Sequence, residues 1–223
     1  MPGRIIDLTM MIREGMQTFS APWHPPVEIT QLGRHGIENR ETRKLILGTH
    51  TGTHMDAPRH FVPGGETIEN IPLDQLCGPA TVLDFSNAPD FQELGPEDLE
   101  KAAAGRPTGR LIFRFDWDIK ALGKNRYYTD HPYLSEEACR WIAERGCRLI
   151  AMDTPQPDNP KNGRGSKKDA PNHKILLGKN IILVEYLVNI KEIRRAEVEL
   201  IVAPLKIKEG DGAPVRCFAI EEN

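Results

Sequence analysis

Residues 50 to 61 read HTGTHMDAPRHF, and this segment constrains the fold more sharply than any other. It sets His50, His54, Asp56 and His60 within eleven positions. All four numbers are even, so an extended strand would put them on one face. A flat strand still fails as a shared metal site. At about 3.3 Å per residue, His50 and His54 would stand roughly 13 Å apart, whereas metal–nitrogen bonds are about 2 Å long. A helix would bring positions four apart together, but Thr51, Gly52, Thr53 and Pro58 disfavour a regular one. The consistent solution is a strand ending near His50, then a tight bend at Gly52, whose missing side chain also leaves room for an ion and a substrate. A lone histidine is ordinarily a solvated loop residue. Here the density of donors argues for a metal, and two imidazoles with a carboxylate suit zinc, manganese or iron.

Glu185 gives an independent clue. It interrupts IILVEYLV, residues 181–188, a run apolar enough to be buried. A buried carboxylate needs a partner cation or a proton; the other reading is a carboxylate facing outward from a half-buried strand. His173, twelve residues earlier, reads equally well as loop surface or as a ligand.

The same run is far short of the roughly 20 residues of a membrane span, and the N-terminus shows no secretory leader pattern. Four cysteines (Cys77, Cys139, Cys147, Cys217) form no CxxC pair, so they read as core fillers of a cytoplasmic protein. Lys plus Arg is 29 against 32 Asp plus Glu, a balance that argues against nucleic-acid binding. With 39% hydrophobic residues the chain can build a core, and its length favours one domain over residues 1–223.

Strands are expected over residues 4–12, 27–32, 43–50, 80–85, 110–117, 147–153, 180–185, 197–204 and 214–220. Pro96 opens a helix that Gly105 stops, and Ser135 caps a second that ends before Gly146. Strands outnumber helices, which implies an α/β domain with a mixed sheet. Residues 154–172, rich in Pro, Gly, Asn and Lys, read as a long surface loop. Asp153 is read either as a residue that orients a ligand histidine by hydrogen bonding or as a loop cap.

HTGTHMDAPRHF resembles the HxGTHxDxPxHF motif of the cyclase family of metal-dependent hydrolases, which includes bacterial kynurenine formamidases and isatin hydrolases. The resemblance extends to RIIDLTMMIREGM, APWHPPVEI, DHPYLSEEACRWIAERGCRLIAMDTP and NHKILLGKNIILVEYLVN. It implies a swivelling β/β/α fold, with a barrel-like mixed sheet flanked by helices. It also implies one or two divalent ions, zinc or manganese: His50, His54 and Asp56 would hold the first, and Asp56, His173 and Glu185 the second. His60 takes the catalytic place. Departures fall at Phe115, Asp116 and Trp117, at Gln156 where relatives often carry serine, and at Trp23-His24-Pro25-Pro26. Trp23, Phe61 and Gln156 are the substrate-facing candidates, with core packing as the other reading for Trp23 and Phe61. His24 reads as surface, and Arg59 as structural.

The implied activity is hydrolysis of a small amide, as in tryptophan catabolism, by a homodimer or higher homo-oligomer. Metal-activated water would attack the carbonyl while His60 exchanges protons. A non-haem iron oxygenase and a catalytically silent metal-binding protein on the same scaffold are the competing readings.

Overall fold

Alternation along the strands sends successive side chains into two separate apolar cores. Ile112 packs into one, while its neighbours Leu111 and Phe113 pack into the other. Leu149 and Ala151 likewise oppose Ile150 and Met152. The computed structural model, which describes residues 3–222, shows the reason. Its strands are β1 (Arg4–Asp7), β2 (Glu28–Gly33), β3 (Thr42–Ile46), β4 (His54–Asp56), β5 (Cys77–Asp84), β6 (Glu93–Leu94), β7 (Arg110–Arg114), β8 (Tyr133–Leu134), β9 (Leu149–Met152), β10 (Ile182–Glu185), β11 (Glu197–Pro204) and β12 (Gly212–Glu221). Its α-helices are α1 (Leu73–Leu76), α2 (Pro96–Ala103), α3 (Trp117–Ala121), α4 (Glu136–Glu144) and α5 (Pro171–Leu177).

Strands β12, β11, β5, β7, β9, β10 and β4 pair in that order, and β4 pairs back onto β12. The sheet therefore closes into a seven-stranded barrel. Residues 212–214 of β12 hold β4, and residues 218–221 hold β1 along the same edge. One core fills the barrel. The second lies between its outer face and the helices. The parallel strands β5, β7, β9 and β10 need crossovers. The connections carry α2, then α3 and α4, then α5. Parity then fixes the site: β4 turns Met55 inward and His54 and Asp56 outward, while β10 turns Val184 inward and Glu185 outward with Leu183.

Both helix-end expectations hold. Helix α2 begins at Pro96, and beyond its end Ala104 and Gly105 take left-handed backbone (φ 50° and 77°). The Ser135 hydroxyl accepts the Ala138 N–H at 3.0 Å at the start of α4. The four cysteines are unpaired, and Cys139, Cys147 and Cys217 are buried. No helix among the described residues is long and apolar enough to cross a membrane.

Other expectations change. The strand expected to end near His50 stops at Ile46 and pairs only with β2 in a separate two-stranded ribbon. The barrel strand of this region follows the bend, as β4. The strand expected over 110–117 ends at Arg114 because Asp153 redirects the chain. The buried Asp153 carboxylate accepts the Phe115 N–H with both oxygens at 3.1 Å and the Trp117 N–H at 3.3 Å. Asp116 between them is left-handed (φ 54°), and α3 follows. Asp153 is thus the loop cap of the two readings. Within 154–172, Thr154 and Asp158 are buried and only the stretch 163–168 is continuously exposed. His173 stands inside α5 rather than at a loop end.

Candidate metal centre

Four elements converge on the outer face of the barrel where β4 lies between β10 and β12. The register sets His54 opposite Glu185 and Asp56 opposite Gly212. His50 reaches back over β4 from the bend, where Gly52 is left-handed (φ 62°). A Cβ at Gly52 would meet Met16 and Ile12, so the space its absence leaves is not in the site. The close approach is at Gly212 instead: a Cβ there would lie 2.6 Å from His50 Cε1 and 3.0 Å from the Met55 carbonyl oxygen. His60 ends a 3-10 turn over Pro58–His60, and His173 enters from the first turn of α5.

The imidazoles are oriented by their second nitrogens. His54 Nδ1 donates to the Gly52 carbonyl at 2.8 Å, which leaves the Nε2 lone pair free. That Nε2 lies 3.3 Å from Asp56 Oδ1 and 3.6 Å from Glu185 Oε2. His173 Nδ1 donates to Asp158, and its Nε2 lies 3.2 Å from Glu185 Oε1 and 3.6 Å from Asp56 Oδ2. Asp158 also accepts the backbone N–H groups of Asn172 and His173 at 2.7 and 3.3 Å, so it fixes the helix start and the ring together. Such carboxylate or carbonyl partners on the far nitrogen are the usual support for metal-bound imidazole.

Two donor sets result, His50–His54–Asp56 and Asp56–His173–Glu185, each with its ligand atoms within 4.8 Å of one another. Asp56 belongs to both. A third set, His50–His60–Asp211, meets the same distance. Glu185 Oε1 is buried and, among the described residues, has no aligned hydrogen-bond donor despite its short distance to His173. Carboxylate oxygens and imidazole lone pairs facing one another across this gap repel unless a cation or proton stands between them, so the donors fit a divalent ion.

The electrostatics agree. Burial and the neighbouring Asp56 charge raise the Glu185 pKa from its ordinary value. Burial opposes charge on His173, but Asp158 and Glu185 overcome it and hold the ring protonated well above the usual histidine range. His50 behaves likewise: burial lowers its pKa, yet the charge of Asp56 and hydrogen bonds to Asp211 and Asp56 raise it to about 10. A proton on His50 occupies the place a metal would take.

A cavity of about 730 Å³ opens over the cluster, and every ligand, catalytic and substrate-facing residue named from the sequence borders it. Trp23 is 73% exposed at its mouth, which removes the core reading for that residue. Gln156 is 3.5 Å from Nε2 of the buried His131. His24, expected at the surface, is partly buried and bonds the His50 carbonyl at 3.0 Å. Asp158 and Asp211 escaped the sequence reading. Asp211 with Gly212 reads as an ordinary turn pair, and nothing local ties Asp158 to His173.

The fold and this cluster define a hydrolase of the cyclase type. The Cyclase family model ("Putative cyclase") matches residues 6–159, and the chain belongs to that family. Kynurenine formamidase of Bacillus thuringiensis (strain Al Hakam) is 32% identical over 173 residues, 78% of this chain and 77% of that protein. Kynurenine formamidase of Bordetella petrii is 30% identical over 184 residues, 80% of this chain and 79% of its own. Isatin hydrolase A from Labrenzia aggregata, solved with benzyl benzoate, superposes with a TM-score of 0.88 at 27% identity, covering 99% of this chain and 94% of that one.

Gly212→Ala is expected to displace His50 and lower the metal bound per chain after reconstitution, measured by elemental analysis; full occupancy would contradict the close approach described.

Proposed function

We propose that this enzyme hydrolyses the carbon–nitrogen bond of a small aryl formamide or lactam, the class of N-formylkynurenine and isatin, using one or two divalent ions of zinc or manganese. The observation that carries this reading is Asp56, shared by two donor sets on the floor of a cavity whose wall holds His60. A divalent ion in such a site polarises a carbonyl and lowers the pKa of bound water towards neutrality. His50, His54 and Asp56 would hold the first ion, and Asp56, His173 and Glu185 the second. His60 removes a proton from water and returns it to the leaving nitrogen, so the proton count balances over the cycle. Phe61 and Trp23 offer aromatic surface to an aryl substrate, and Gln156 offers a polar contact.

The test is metal analysis of the purified protein joined to a hydrolysis panel of N-formylkynurenine, isatin and cyclic imides. Turnover with zinc or manganese in the absence of oxygen is expected, which an oxygenase would not give. Metal-loaded protein that cleaves no amide would overturn the reading in favour of a silent metal-binding protein. His60→Ala is expected to keep its metal and lose turnover by about 100- to 10,000-fold; lost metal would make His60 a ligand.

The proton on His50 sets a pH dependence. Binding an ion at His50 releases that proton, so below about pH 10 apparent affinity should fall towards lower pH, by up to about tenfold per unit. Calorimetry of metal binding in buffers of different ionisation enthalpy would detect the released proton, and pH-independent affinity would refute it.

We further propose that the protein works in the cytoplasm as a homodimer or higher homo-oligomer. In the β2–β3 ribbon, β3 is exposed along its whole length, and Leu32 and Leu45 are 59% and 56% exposed. An isolated two-stranded ribbon is marginal in water and gains stability against a second surface. Leu45→Lys should shift the sedimentation profile towards monomer; an unchanged profile would place the contact elsewhere.

A further inference from the structure

Asp211 lies outside both proposed ion sites yet contacts His50 of the first and the proposed base His60. Its Oδ2 accepts from His50 Nε2 at 2.8 Å and from His60 Nδ1 at 3.2 Å. The two rings stack against each other, with centroids 3.9 Å apart and planes 32° apart. The other oxygen, Oδ1, accepts the Thr49 hydroxyl at 3.1 Å, and the Asp211 backbone carbonyl accepts the Ala57 N–H at 2.9 Å. The side chain is therefore pinned at both oxygens, and its backbone is tied to the segment between Asp56 and His60. The bare Gly212 beside it is what lets the chain pass so close to the His50 ring.

We infer that Asp211 is a positioning residue for His60: one carboxylate oxygen holds the Nδ1–H of His60 and the Nε2–H of His50 together, so that the base keeps its Nε2 lone pair towards the cavity. This rests on the proposed role of His60. A carboxylate only accepts hydrogen bonds, so a neutral His60 facing it carries its proton on Nδ1. Nε2 is left to take the proton from water and later to return it to the leaving nitrogen. The Nδ1 proton stays on its nitrogen throughout, and Asp211 faces the transient imidazolium without itself being protonated. The same oxygen orients His50 from its far nitrogen, leaving Nδ1, 2.8 Å from Asp56 Oδ1, as the ligand atom. One side chain thus sets the geometry of a metal ligand and of the base.

Asp211→Asn tests this, since it keeps the volume but presents an amide N–H or a single acceptor to two imidazoles. In zinc-loaded protein, nitrogen-15 NMR should show His60 protonated at Nδ1 in the wild type and as mixed tautomers in the variant. Metal content should stay within about twofold of the wild-type level, because the asparagine oxygen can still accept the His50 Nε2–H. With whichever panel amide is cleaved, kcat should fall about 10- to 100-fold with KM little changed. In a His60→Ala background the same substitution should change the residual kcat by less than about twofold, because the two act as one unit. An unchanged tautomer in Asp211→Asn would overturn the inference. So would effects that multiply in the double variant. If His60→Ala alone keeps full turnover, the base role falls, while the tautomer measurement still decides whether Asp211 orients the ring.

Discussion

The buried carboxylate of Asp56 is the constraint on which the site depends. It is 1% exposed, and among the described residues no lysine or arginine forms an ion pair with it. Left alone, such a charge would cost several kcal/mol. The chain answers with imidazoles: His50 is 2.8 Å away, His54 3.3 Å and His173 3.6 Å. Burial pushes the Asp56 pKa up, but the charges of His50 and His60 and hydrogen bonds from His50 and His54 pull it well below the ordinary range. Adding the buried Glu185 to the same pocket makes the arrangement self-consistent only with cations or protons shared among the donors. The need for positive charge is thereby built into the fold before any substrate arrives.

Strand parity carries this constraint to the right place. The residues that fill the barrel and those that build the centre alternate along β4 and β10, so one short strand serves stability and chemistry without conflict. Met55 and Val184 belong to the barrel interior, while His54, Asp56 and Glu185 share the helix-covered face. The helices then deliver the remaining parts. Helix α5 brings His173, and the chain before it brings Asp158 to hold that ring.

Much of this was legible in the sequence because the relevant signals are local. The even numbering of His54 and Asp56 foretold a common face, and Glu185 inside an apolar run foretold a buried carboxylate. Gly52 foretold the bend, although its bare Cα faces Met16 and Ile12 rather than the site. The order of strand and bend was inverted because residues 43–46 carry a strand pattern that pairs with β2 instead of the barrel. Asp211 and Asp158 were illegible for a different reason. Their contacts with His50 and His173 close across 161 and 15 residues, and an aspartate beside a glycine or a proline-rich loop has an ordinary local explanation. Sequence periodicity reports which face a residue takes; it does not report which distant element meets it there.

The barrel closes through β4, and β4 is only three residues long. The seam of the barrel and the floor of the proposed ion sites are therefore the same strand. Both proposed donor sets draw on Asp56 of β4, so an ion held there would favour the seated strand and stabilise the closed ring. Loss of the ion would make opening of the seam easier, and opening exposes the edges of β10 and β12. Metal supply would then regulate the lifetime of this protein, and its resistance to edge-to-edge association, as well as its catalytic state.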